Sequence, residues 1–175
     1  MRSKLVLAVT ILATILLQST LVPQIAIGSI KPNLIVIFCI SMGLMRGRKA
    51  GLWTGFFTGL FMDFFYGSVF GVYALIYMYV GYLSGYACMV LYDDDIKVPL
   101  FLAGAGDLFY NVAVYVLLFL LRGRLGVSTY LFRIIIPEMF YTLLLTFPVY
   151  RIYYFINYRL MTMQRKESES VWVLK

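Results

Sequence analysis

Three features of the sequence predict an all-α integral membrane protein, a compact bundle of about six transmembrane helices. First, 62% of the 175 residues are hydrophobic, only 13% are charged, and the mean hydropathy is +0.88, whereas a soluble domain is about half apolar and a quarter charged. Second, apolar stretches recur along the chain, near the roughly 20 residues that cross a bilayer. Third, most charges lie in the short gaps between these stretches. The pattern predicts one transmembrane domain over residues 1–158 and a cytoplasmic tail over residues 159–175.

The first predicted span covers about Leu5 to Val22 and follows the basic residues Arg2 and Lys4. A basic start before an apolar core also describes a signal peptide. The apolar run is long, however, and Pro23-Gln24-Ile25-Ala26 is a poor cleavage site. We therefore expect a retained span.

Spans two and three share the residues between Pro32 and Phe65, which leaves about 14 to 17 residues for each. This length is at or below the usual lower limit for a span. Two short helices and a re-entrant hairpin would both fit it. Short helices are favoured, because the basic cluster at Arg46, Arg48 and Lys49 makes a natural cytoplasmic turn.

Spans four, five and six are predicted at about Val69 to Leu91, Val98 to Leu121 and Leu131 to Ile156, the last with kinks at Pro137 and Pro148. Six spans place both termini on one side of the membrane. That side then holds most of the basic residues, so both termini of this multi-pass inner-membrane protein are predicted to be cytoplasmic. Arg122 and Arg124 fall on the opposite side and argue against this orientation.

Composition also limits the function. The net charge of +7 comes from Lys and Arg at span ends, which indicates topology signals and contact with anionic lipid, and no nucleic acid is expected. Histidine is absent, which removes His-dependent acid–base catalysis and histidine metal sites. Cys39 and Cys88 lie in apolar runs without a CxxC partner. No metal, cofactor or catalytic residue is predicted, although carboxylate or tyrosine chemistry is not excluded.

The third span carries the most informative pattern. Gly51, Gly55, Gly59 and Asp63 recur at every fourth residue and share one flank of a helix, while the bulky residues of this span lie on the opposite arc: Trp53, Phe56, Phe57, Leu60, Phe61 and Phe64. Span four has a matching set of small residues at helical spacing: Gly71, Ala74, Gly81, Gly85 and Cys88. Small residues let helices approach closely within a bilayer. We expect the two flanks to pack tightly and to leave one side for a partner.

The acidic residues within the predicted spans have two interpretations each. Asp63 is either a helix-end carboxylate bonded to loop amides near Gly67 and Ser68, or a charge that faces a partner or substrate. Asp107 and Glu138 lie deeper, where carboxylates are costly and face the bundle interior or a cavity. With Asn111 they form either packing contacts or a polar groove for a ligand or proton. The tyrosines of span four, including Tyr77, belong to interfacial belts or line such a groove.

Several stretches resemble the rod shape-determining protein MreD family. The resemblance covers about residues 31 to 86 and is carried by Lys31-Pro32-Asn33-Leu34-Ile35, Gly51…Gly55-Phe56…Gly59-Leu60…Asp63, Gly67…Phe70-Gly71…Ala74-Leu75-Ile76-Tyr77 and Gly81-Tyr82-Leu83…Gly85. It implies a non-enzymatic scaffold of bacterial cell-wall elongation that binds an MreC-like partner and, through it, MreB, RodA and a penicillin-binding transpeptidase. It also implies a fold similar to the substrate-binding subunits of energy-coupling-factor transporters. A substrate-capture subunit that uses Asp107, Asn111 and Glu138 is the alternative, and a lipid-acting intramembrane enzyme is the least favoured.

Overall fold

The computed structural model describes residues 2–27, 30–67, 69–90, 97–119 and 131–173. Within these ranges the chain forms six α-helices: α1 (Arg2–Ile25), α2 (Leu34–Arg46), α3 (Arg48–Tyr66), α4 (Val72–Val90), α5 (Lys97–Val114) and α6 (Ile136–Val173). A π-helical segment, Tyr115–Phe119, continues α5, and another, Leu131–Ile135, leads into α6. The predicted all-helical architecture is confirmed for the described residues. The acidic run at Asp93–Asp95 and the Arg122/Arg124 pair lie outside them.

The short helix α2 occupies the centre of the bundle. It contacts each of the other five α-helices, and every residue from Leu34 to Gly43 is buried. With 13 residues, it is about 20 Å long and shorter than the hydrocarbon core of a bilayer. The sequence predicted two helices of similar length in this region, but α3 has 19 residues. The difference arises because α3 includes Arg48 and Lys49, which the prediction placed in the turn, and the connection is a single residue, Gly47, whose φ of +83° suits glycine.

Two apolar clusters surround α2. One joins it to α4 and α5 through residues such as Ile35, Ile76 and Ala103. The other joins it to α1 and α6, where the Phe38 and Tyr153 rings meet edge to face with centroids 5.1 Å apart. The core of the bundle therefore forms around one helix that faces no lipid over its first ten residues.

The outer helices expose apolar side chains of the kind that face lipid. Among the described residues, three segments are long and apolar enough to cross a membrane: Val6–Ile25, Lys97–Leu117 and Phe132–Arg159. Leu34–Arg46 and Val72–Cys88 are shorter apolar helices. Six complete spans therefore stay a prediction. The last helix is longer than the predicted sixth span, since α6 continues past Ile156 to Val173. The residues expected to form a separate tail begin as a continuation of this helix.

Candidate functional site

The glycine flank of α3 lies directly against α4. The two helices run antiparallel, so that Gly51 faces Gly81, Gly55 faces Tyr77, and Gly59 faces Ala74. A Cβ atom added to Gly59 would lie 2.5 Å from the Ala74 Cα, and one added to Gly51 or Gly55 would collide with a backbone carbonyl oxygen of α4. The absence of side chains at these positions is thus what allows the two backbones to meet.

The contact extends further than the sequence predicted. Gly85 of α4 packs against the backbone of Arg48, and a Cβ at Gly43 of α2 would lie 2.6 Å from the Gly81 carbonyl oxygen. Sequence reasoning missed Gly43. The available signal was the four-residue spacing, which begins at Gly43 and continues through Gly47 to Gly51.

Gly71 does not belong to this contact, contrary to its predicted place among the packing residues. It precedes α4, has a φ of +96°, and a Cβ there would meet no atom within 4 Å. Its carbonyl oxygen accepts the first backbone hydrogen bond of the helix, from the Leu75 amide at 3.0 Å. Glycine is therefore required here by the turn and not by helix packing.

Asp63 caps α4. Its Oδ1 accepts a hydrogen bond from the Tyr73 amide at 3.0 Å and its Oδ2 one from the Ala74 amide at 2.7 Å. The side chain is 2% exposed. The carboxylate thus satisfies donors in the first turn of α4, where the helix dipole also favours negative charge. The expected acceptor role is present, but its donors belong to α4 and not to the loop near Gly67, and Ser68 lies outside the described residues.

A second group of polar side chains lies where α5 and α6 meet. Asp107 and Thr142 are fully buried, Asn111 is 3% exposed, and Glu138 is partly buried. The Asn111 side-chain amide donates to the Asp107 backbone carbonyl oxygen at 3.1 Å and reaches the Asp107 Oδ2 at 3.5 Å. Glu138 and Thr142 of α6 lie close enough to interact with the Asp107 carboxyl group. The structure therefore brings the predicted residues Asp107, Asn111 and Glu138 together.

Asn33, which was not singled out for this group from the sequence, joins it together with Tyr77, one of the tyrosines with two interpretations. The Asn33 backbone amide donates to the Thr142 hydroxyl at 3.2 Å, and the Tyr77 hydroxyl donates to the Asn33 side-chain oxygen at 3.3 Å. The Tyr77 ring stacks on Tyr110 with centroids 5.0 Å apart. Asn33 also caps α2, so a residue needed for a helix end links α4, through its side chain, to α6, through its backbone amide. An Asn before an apolar run was the signal for the cap.

The basic turn is also tied into the bundle. The Arg46 Nε donates to the Asn157 side chain of α6 at 2.6 Å. The Arg48 guanidinium lies over the Tyr86 ring of α4, 5.7 Å from its centroid. These contacts place the end of α2, the start of α3, the end of α4 and residue 157 of α6 at one end of the bundle.

The described residues hold no group of three or more His, Cys, Asp or Glu side chains suited to a metal ion. Apolar helices with exposed aromatic surfaces, close glycine contacts and buried polar bridges define a helical membrane protein built by helix packing.

Comparison with protein families identifies this membrane protein more closely. The chain belongs to the rod shape-determining protein MreD family, whose family model matches residues 1–163. The match covers far more of the chain than the residues that carried the resemblance. Membership establishes a role in determining rod shape within a structural family that is not a known enzyme family. Comparison with curated proteins and with solved structures finds no match.

Proposed function

We propose that this protein is a non-enzymatic membrane scaffold of the cell-wall elongation machinery, and that it holds the single span of an MreC-like partner on the exposed side of α3. Family membership supports the general role. The observation that carries the finer proposal is that the glycine flank of α3 is used within the molecule. The side of α3 that a partner can reach is therefore the aromatic one.

This surface, which we call the aromatic face, consists of four side chains that are between 42% and 74% exposed: Trp53, Phe57, Phe61 and Phe64. Trp53 and Phe57 stack with ring centroids 5.9 Å apart. Within a bilayer, helix association depends on packing and hydrogen bonds because lipid is as apolar as the side chains. Rings held in place by a rigid α3–α4 pair offer a partner helix such a surface with little loss of side-chain freedom.

Co-purification of the MreC-like partner tests the proposal. Replacing Phe57 and Phe61 together with Ala should abolish co-purification, since both rings are exposed and their loss leaves the glycine contact intact. The matched control replaces Phe140 and Phe147, exposed aromatic residues of α6, and should retain the partner. Undiminished recovery with the α3 variant, or equal loss with both variants, would count against the aromatic face.

The remaining associations follow from this arrangement. MreB, RodA and its penicillin-binding transpeptidase would be reached through the MreC-like partner. Anionic lipid would contact the basic end at Arg46, Arg48 and Lys49, because such clusters attract negatively charged headgroups. Both termini would be cytoplasmic.

The buried polar group favours one alternative, a substrate-capture subunit related in fold to those of energy-coupling-factor transporters. Asp107, Asn111 and Glu138 would then bind a small molecule. Native mass spectrometry of the purified protein distinguishes the two. A stoichiometric small molecule that is lost in Asp107→Asn supports capture, and its absence with retained partner binding supports the scaffold.

A further inference from the structure

The group formed by Asp107, Asn111, Glu138 and Thr142 contains a feature that neither scaffolding nor helix packing requires. The Asp107 side chain is fully buried, and its Oδ1 has no hydrogen-bond partner among the described protein atoms. Its Oδ2 receives a long contact of 3.5 Å from the Asn111 side-chain nitrogen, and the Thr142 hydroxyl lies near the carboxyl group. A buried carboxyl oxygen without a partner carries a free-energy cost, so this position calls for a positively charged or proton-bearing group.

The groups around Asp107 strengthen the need for a positive charge or a proton at this position. Glu138 of α6 brings a second carboxyl group close enough to repel the first. Two carboxylates that share a site of low polarity do not both ionise readily. Among the titratable groups nearby, Tyr110 of α5 interacts with both carboxyl groups, and Tyr73 and Tyr77 of α4 and Cys39 of α2 lie beyond it. Phenols and thiols carry no positive charge in either protonation state, so these groups do not neutralise the pair.

We propose that Asp107 and Glu138 together hold one monovalent cation, a proton or Na⁺, between α5 and α6. The carboxyl oxygens provide the charge and the Thr142 hydroxyl is a neutral oxygen beside them, while the Asn111 side-chain nitrogen donates toward the carboxyl groups. Oxygen ligands suit a hard cation, and a proton replaces the ion by converting one carboxylate into a neutral acid. The bound cation joins α5 to α6 and removes the repulsion between them.

The direct test of the cation site is the thermal unfolding midpoint of the whole chain in lipid nanodiscs. In sodium-free choline buffer, a change from pH 8 to pH 5 should raise the midpoint by about 3 °C or more, because protonation removes a repulsive negative charge. At pH 8, Na⁺ in place of choline should raise the midpoint similarly if the site accepts sodium. A response to protons alone identifies a proton site, and a response to both identifies a site that both cations share.

Variants locate the response. Asp107→Asn and Glu138→Gln keep the side-chain shape and remove one negative charge, so each should lose the dependence of the midpoint on pH and Na⁺. Glu167→Gln changes a carboxylate further along α6 and should retain it. Dicyclohexylcarbodiimide provides a measurement on the unaltered chain, since it adds to protonated carboxylic acids within membranes. Mass spectrometry should find the adduct on Asp107 or Glu138, in an amount that falls as the pH rises.

Two results would overturn the proposal. One is an unfolding midpoint of the unaltered chain that responds to neither cation, together with no adduct on either residue. The other is a response that persists in Asp107→Asn and Glu138→Gln. Neither result bears on partner binding by the aromatic face, which co-purification measures separately.

Discussion

A single methyl group is too large at Gly55. Its Cβ would collide with the Tyr77 backbone carbonyl oxygen, and backbone cannot rotate aside as a side chain can. We expect Gly55→Ala to lower the free energy of unfolding by about 1–3 kcal/mol, the usual cost of overpacking. Thermal unfolding in nanodiscs measures the effect.

Gly104→Ala is the matched control for this prediction. A Cβ at Gly104 would meet only the flexible end of the Leu143 side chain, at 3.3 Å, so a smaller loss of stability is expected. Equal losses for the two substitutions would show that the α3–α4 contact is less tight than the structure indicates.

The carboxylate of Asp63 accounts for two amide groups of α4. Asp63→Ala leaves the buried Tyr73 and Ala74 amides without that acceptor, and the loss of a helix cap costs about 0.5–2 kcal/mol. The unfolding midpoint should fall, while the fraction of folded protein that binds the MreC-like partner should not change. Selective loss of partner binding at unchanged stability would contradict the capping role.

At the scale of the helix, burial separates the central element from the outer ones. Phe38 of α2 is fully buried against Tyr153, whereas Phe140 of α6 is 64% exposed. Phe38→Ala should cost about 3–5 kcal/mol through the cavity it leaves. Phe140→Ala exchanges one lipid-facing apolar group for another and should cost little. Paired unfolding measurements compare the two, and similar losses would mean that α2 is not the packing centre.

The sequence predicted the helical flank of α3 because periodicity follows from helix geometry alone. It also predicted that the small-residue flanks of α3 and α4 would pack together. It did not predict that Gly43 of α2 would join this contact, since that depends on which helices become neighbours. Gly71 also shows that helical spacing alone does not reveal tertiary contacts. At helical spacing it matched the packing residues, but α4 begins one residue later and the turn determines its role. The Asp63 donors were likewise unpredictable, because the Tyr73 and Ala74 amides approach only after folding.

The buried polar group was predicted in part for a related reason. Carboxylates and amides in apolar runs point inward whatever the fold, so Asp107, Asn111 and Glu138 could be grouped from depth alone. Asn33 lies far from them in sequence and joins them only through tertiary contacts.

For the whole molecule, the contacts of the basic turn support the predicted orientation in the membrane, with both termini on the cytoplasmic side. Arg46 meets Asn157, while Gln18 of α1 bonds the Leu34 amide at the other end of α2. Thr14 of α1 bonds Tyr153, one turn before Asn157. The start of α1 and residue 157 of α6 therefore lie toward the same end as the basic turn, and by the positive-inside rule we propose that this end is cytoplasmic.

Cysteine labelling tests this orientation. In a background with Cys39→Ala and Cys88→Ser, single cysteines at Lys4 and Lys166 should be shielded from a membrane-impermeant maleimide in intact spheroplasts and should react after lysis. Reaction of either position before lysis would reverse the assignment of that terminus.

The one-residue connection at Gly47 has a consequence for biosynthesis. Because α2 is too short to fill the hydrocarbon and α3 follows it at once, the translocon would receive them as one hairpin. The glycines of that hairpin pack against α4, the next segment to leave the ribosome. All residues of the α3–α4 glycine contact therefore precede Val90, in about the first half of the polypeptide to be synthesised.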